Sequence, residues 1–243
     1  ALCAVSSLAG MRYVDGLDNM SANIIAFGVA GSGTGKEQIL QSYLSIIKTA
    51  GVQAALHGGF KSEQEVMRNL IRHQAAFYCI DELGITLSKL QNASKKGGAS
   101  YLEGIVGLVM SVYSKANGYL PITGDLKDDI KQKLIIEYAQ VEKKLEKLAE
   151  DSSTETMRAK LAEAKEQIML AIKSVDDGLE NPYLTVLGFT TPVTFNDLMT
   201  FEQATNGFMA RAMIFSDLET NPKRKPRFTK KTMSDAMANS LQN

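Results

Sequence analysis

Between Ala22 and Ala30 the chain reads ANIIAFGVA, nine residues without a charge, and four other mainly apolar runs of strand length follow. They are VQAALHG (52–58), AAFYCIDE (75–82), YLTVLGFTT (183–191) and ARAMIFSD (210–217). An unbroken apolar run of this length is what a strand buried on both faces requires. Between the runs the period becomes helical. Leu40, Tyr43, Leu44 and Ile47 share one face, closed by Gly51, and Val66, Met67, Leu70 and Ile71 follow a capping box of Ser62 and Glu65. Ser100 and Glu103 cap a further helix to about Gly118, and Ala1–Leu8 reads as a short apolar helix. Strands alternating with helices predict an α/β fold with a mostly parallel, doubly wound sheet.

One segment departs from this alternation. Leu134, Tyr138, Val141, Leu145 and Leu148 recur at spacings of 4, 3, 4 and 3, and Met157, Leu161, Ala164, Ile168, Ala171 and Val175 continue the pattern beyond EDSSTE. Two such stripes around a polar turn predict an inserted antiparallel helical hairpin over roughly 125–177. Lys and Glu interleave along it instead of segregating by sign, which favours a structural or oligomer role over direct nucleic-acid contact. The plain reading is a solvated decoration, and the sharper one is an arm that meets a partner or a neighbouring subunit.

With 243 residues the chain suits one domain, 1–243, carrying that insertion. Lys+Arg and Asp+Glu each number 27, so any surface for a polyanion must be local. Cys3 and Cys79 sit in apolar contexts and read as buried thiols of a reducing compartment. No apolar run reaches membrane-spanning length, and ALCAVSSLAG lacks the basic lead of a signal peptide. The chain begins without Met, as a piece or processed product of a longer protein does.

The candidate chemistry begins where the first long strand ends. Ala30, Gly31, Ser32, Gly33, Thr34, Gly35 and Lys36 form A-x-x-x-x-G-K, a phosphate-binding loop with Ala in its first place. Glycines let backbone N–H groups curl round a phosphate, the following helix offers its positive end, and the lysine reaches the terminal phosphates. Asp81 and Glu82 follow Lys36 by 45 residues at the tip of a second buried run. In P-loop ATPases an acid so placed holds Mg²⁺ and its neighbour polarises the attacking water. Both motifs together predict a P-loop NTPase using ATP and Mg²⁺. Glu37 stands where a magnesium-binding Ser or Thr is usual, and Thr34 lies too early to replace it. The GTGKE ending resembles the loop of the AAA+ activators of alternative-sigma-factor transcription, so Glu37 is expected to reach Mg²⁺ directly or through water.

The order ALCAVSSLAG, NIIAFGVAGSGTGK, FYCIDELG, YLTVLGFTTP and NGFMARAMIF resembles the helicase-like, RecA/AAA+-like ATPase domain of phage, plasmid and genomic-island proteins, often found behind a primase module. The resemblance implies a homo-oligomeric ring, a hexamer, working on single-stranded DNA beside a primase or other replication protein in the bacterial or phage-infected cytoplasm. It also implies that Thr190 or Thr191, on the strand next to Asp81, senses the γ-phosphate and that Arg211 is presented to the nucleotide of a neighbouring subunit. A strand-end turn before Pro192 and a structural ion pair are the plain alternatives for these residues. Lys95 and Lys96, in the basic loop SKKGGAS, suit contacts to a phosphate backbone, or simply a solvated loop. The basic tail 221–243 reads as a clamp or a linker. His57 and His73 have no companions at metal-ligand spacing. A protein remodeller acting through the hairpin, and a nucleotide-gated subunit with negligible turnover, remain as competing functions.

Overall fold

The computed structural model describes residues 1–10, 13, 14, 16, 17, 20–87, 101–148, 155–198, 207–217 and 240. Lys95, Lys96, the Ser100 cap and the basic tail apart from Ser240 lie outside the described residues. The elements run α1 (Leu2–Ala9), β1 (Ile25–Ala30), α2 (Lys36–Thr49), β2 (Leu56–His57), α3 (Glu63–His73), β3 (Ala75–Ile80) and α4 (Tyr101–Ser114). They continue with β4 (Tyr119–Leu120), α5 (Gly124–Leu148), α6 (Glu155–Asp177), β5 (Leu179–Glu180), β6 (Tyr183–Thr190), α7 (Pro192–Leu198) and β7 (Ala212–Asp217).

Five strands form one sheet in the order β2-β3-β6-β1-β7, and every neighbouring pair is parallel. Alternate side chains feed two cores, as a sheet covered on both faces requires. Ile25, Phe27, Tyr78, Ile80, Leu184 and Val186 pack toward α3, α4 and the hairpin base. Ala26, Phe77, Cys79, Tyr183 and Phe189 pack toward α1 and α2. Burying a side chain such as Ile25, Phe27 or Leu184, each 0% exposed, contributes about 1.5–3 kcal/mol. Under α1, polar groups are paired: Ser6 Oγ lies 2.6 Å from Thr185 Oγ1, and Ser7 Oγ lies 2.7 Å from the Tyr43 hydroxyl. Both cysteines are buried free thiols, and burial pushes Cys79 up to about 12.

Two long helices, Gly124–Leu148 and Glu155–Asp177, stand where the hairpin was expected. Its helices are antiparallel, since Lys131 bonds Asp176 at 2.6 Å while Glu142 bonds Lys165 at 2.7 Å. Its base is part of the core through Leu126, Ile130, Leu134, Ile168, Ala171 and Val175. An Arg72–Glu137 ion pair ties it to α3. The chain enters and leaves the hairpin through an antiparallel ribbon, Leu120 opposite Leu179 and Tyr119 opposite Glu180.

Several local readings change, α4 ending at Ser114 instead of near Gly118 and β7 starting at Ala212 instead of Ala210. The run 52–58 is mainly a 3₁₀ turn, Gln53–Ala55, with only Leu56–His57 pairing in the sheet. The first long strand starts at Ile25 instead of Ala22. The box ahead of α3 is half formed as expected: Ser62 Oγ accepts the Glu65 N–H at 3.1 Å, but the Glu65 carboxylate takes the N–H of Lys61. No helix among the described residues is long and apolar enough to cross a membrane.

Candidate functional site

Because all five strands are parallel, their carboxyl ends share one edge, and the connections leaving that edge line any crevice there. From β1 the chain turns into α2 on one face of the sheet. From its neighbour β6 it turns into α7, whose Phe195 packs on the opposite face. Adjacent strands with connections departing to opposite faces leave an opening between them, the usual place for a ligand in an open α/β sheet.

The β1 connection is the glycine loop. Gly33 and Gly35 have φ of 78° and 87°, in the left-handed region that residues with a Cβ adopt only at a cost. Thr34 Oγ1 donates to the Gly31 carbonyl at 2.9 Å and closes the turn. Lys36, the first residue of α2, folds back to donate from Nζ to the Ala30 carbonyl at 3.2 Å. A full positive charge is thereby held inside the loop by one neutral acceptor. The helix cap is Gly35, which offers no side-chain acceptor to the first-turn N–H groups. That set is a cradle for an anion: backbone donors, the positive end of a 14-residue helix and a half-buried ammonium. Ser32 and Glu37 are exposed around it, Glu37 in the first turn of α2.

Asp81 and Glu82 leave β3 at the same edge, and β6 lies between β3 and β1. Two strand spacings, about 10 Å, separate β1 from β3. Both carboxylates are exposed. The Glu82 N–H donates to Asp81 Oδ1 at 3.1 Å, and Glu82 has φ of 55°. A non-glycine residue in this region is uncommon and strained. After it the chain turns helical, with the Ile85 and Thr86 N–H groups on the Glu82 carbonyl.

The strand between them ends at Thr190, with Thr191 the next residue, and their surroundings tell them apart. Thr191 Oγ1 accepts the Thr194 N–H at 3.3 Å and caps α7, with Pro192 as that helix's first residue. Thr190 is 3% exposed and lies against the turn that follows Glu82. At Gly84 a methyl group would overlap Thr190 Oγ1 and lie 2.9 Å from both Thr190 Cβ and Thr194 Cγ2. Gly84 was visible in the string DELG, but nothing local marked it as a contact to β6.

Arg211 lies elsewhere. It ends the 3₁₀ turn before β7, whose first residue pairs with Ile25 and whose last pairs with Ala30. Arg211 is therefore at the amino edge of the sheet, about 20 Å from the loop at 3.3 Å per residue. Its guanidinium donates to the Gly207 carbonyl at 2.9 Å. Within one chain it does not meet the loop.

For a divalent ion the described residues contain no group of three or more His, Cys, Asp or Glu. Asp81 and Glu37 are both exposed carboxylates, and Mg²⁺ characteristically takes one or two carboxylates and fills its shell with phosphate oxygens and water. On the α2 face, a 290 Å³ cleft lined by Gly28, Thr34, Lys36, Ile39, Phe189 and Phe215 adjoins the loop. Comparison of the chain with protein-family models, with curated proteins and with solved structures finds no match.

Proposed function

We propose that this chain is a P-loop ATPase domain of the RecA/AAA+-like kind, a ring-forming motor that moves along single-stranded DNA in the replication of a phage or mobile element. The observation that carries the ATPase reading is the convergence at one sheet edge of the glycine loop with Lys36, the acidic pair with its strained Glu82, and the buried Thr190 between them. The DNA and ring assignments rest on the sequence resemblance.

The roles follow from position. Residues 30–36 hold the phosphates of ATP, Lys36 exchanging its single carbonyl partner for phosphate oxygens. Asp81 and Glu37 hold Mg²⁺, which when bound neutralises charge on those oxygens. Glu82 accepts a proton from the attacking water and orients it. Thr190 reports the state of the terminal phosphate to the acid-bearing turn it touches. Arg211, far from its own loop, serves the nucleotide of the next subunit.

A protein-remodelling motor is the second reading. It is favoured by the hairpin, where Ile135, Ile136, Met169 and Leu170 are 54–57% exposed. Steady-state ATP turnover with and without single-stranded DNA decides between them. The translocase reading expects a several-fold rise with DNA. Turnover indifferent to DNA promotes the remodeller, and ATP binding without turnover removes both motors.

A further inference from the structure

Strained backbone persists only where its surroundings over-determine it, and Glu82 has such surroundings in the two residues that follow. Leu83, 0% exposed, sits in the notch left by Gly188, where a methyl group would overlap its Cδ2 and lie 2.7 Å from its Cβ. In the reverse direction Thr190 sits in the notch left by Gly84, with Thr194 as a further wall. Gly188 and Thr190 share one face of β6, two residues apart, and Leu83 and Gly84 are consecutive on the turn. Each segment thus puts one side chain into a glycine of the other. A single contact would leave the turn free to pivot about it. Two reciprocal contacts in opposite senses fix both position and rotation.

We infer that this interlock is a positioning device: Gly84 and Gly188, neither of which bears a reactive group, hold Glu82 in its left-handed conformation and so aim its carboxylate relative to Thr190. Its kinetic consequence rests on the ATPase reading, while its conformational consequence does not. Substituting Gly84 drives a methyl into a buried β-branched side chain that has little room to rotate. The turn must shift, and Glu82 then relaxes to an unstrained backbone.

The experiment is a double-mutant cycle in urea unfolding with Gly84→Ala and Glu82→Gly, accompanied by ATP kinetics on Gly84→Ala. In the parent, Glu82→Gly relieves strain and raises the unfolding midpoint. In the Gly84→Ala background it raises the midpoint no further, because the strain has already gone. Gly84→Ala also lowers kcat about ten-fold or more while the Kd for ATP stays within about two-fold, since a drop of that size needs only one displaced group. Gly107→Ala, on α4 with open space at its Cβ position, keeps the parent kcat and controls for substitution of a glycine as such. If Gly84→Ala does not fold, Leu83→Ala empties the other notch without overlap and carries the same two expectations. Additive midpoint shifts overturn the interlock whether or not the parent hydrolyses ATP. A parent that turns over ATP and a folded Gly84→Ala with undiminished kcat overturn its catalytic role. A parent with no turnover but coupled midpoints retires the ATPase and leaves the interlock standing.

Discussion

On the ATPase reading, Lys36 and Glu82 make different demands on a bound nucleotide, so their variants should separate binding from hydrolysis. Lys36 is the cation inside the loop, and a hydrogen bond to a charged group contributes about 1.5–3 kcal/mol. Lys36→Ala should therefore weaken ATP binding about ten-fold or more, read by titration with a fluorescent ATP analogue. Glu82→Gln keeps shape and removes basicity; it should leave that affinity near the parent's and lower turnover by about 10²–10⁴. Equal losses of affinity in both would refute this division of roles. The two threonines give a second contrast. Thr191 caps α7, so Thr191→Ala should cost about 1 kcal/mol of stability in urea unfolding and leave kcat alone. Thr190→Ala should lower kcat by removing the hydroxyl packed on the acid-bearing turn. Reversal of those phenotypes would move the sensing role to Thr191. The sequence could not choose between these neighbours, because adjacent residues at a strand end point to opposite faces and only the pairing tells which face is which.

The hairpin is the element whose sequence pattern was most legible, since a stripe sustained through more than forty residues leaves few alternative registers. Its periodicity did not reveal that the two ends behave differently. At the base Ile130 and Leu134 are 0% exposed, whereas Met157 near the tip is 56% exposed. Ile130→Ala should destabilise the fold by about 2–4 kcal/mol through lost transfer energy and the cavity left behind. Replacing the tip, residues 142–165, by a short Gly/Ser turn removes the Glu142–Lys165 pair but none of the buried base residues. That variant should unfold near the parent midpoint and keep basal ATP turnover. A collapse of stability on trimming would show that the tip, too, holds the fold together. The ribbon of β4 and β5 escaped notice because two-residue strands are too short to show a period.

At the scale of the whole molecule, parallel pairing puts the glycine loop and Arg211 at opposite edges of one sheet. An arginine there can act on a nucleotide only if the subunits meet head to tail, the heterologous contact that closes into rings. Arg211→Ala and Lys36→Ala, each inactive alone, should then regain turnover when mixed, because some interfaces pair an intact loop with an intact arginine. An arginine supplied in trans is worth about 10³–10⁵ in rate, so even a minor fraction of such interfaces is measurable. Mixed assembly is checked by co-purification of differently tagged variants. Co-assembly with no recovered turnover would assign Arg211 to its bond with the Gly207 carbonyl and nothing more.

Apolar runs, helical stripes and the glycine–lysine spacing were enough to predict the α/β alternation, the hairpin and the residues of the loop, because each is dictated by neighbours within a few turns of chain. Strand order was not among them, beyond the adjacency of the Thr190 and Asp81 strands that the resemblance implied. That β6 lies between β1 and β3 depends on how helices cover two faces of a sheet, and it is this order that puts Thr190 between the loop and the acids. The left-handed backbone of Glu82 was equally invisible, since nothing in CIDELG requires it. Leu83 and Gly84 enforce it through contacts with Gly188 and Thr190, more than a hundred residues away. Which residues are candidates for chemistry could be read from local pattern. How they are aimed is decided by packing between distant segments.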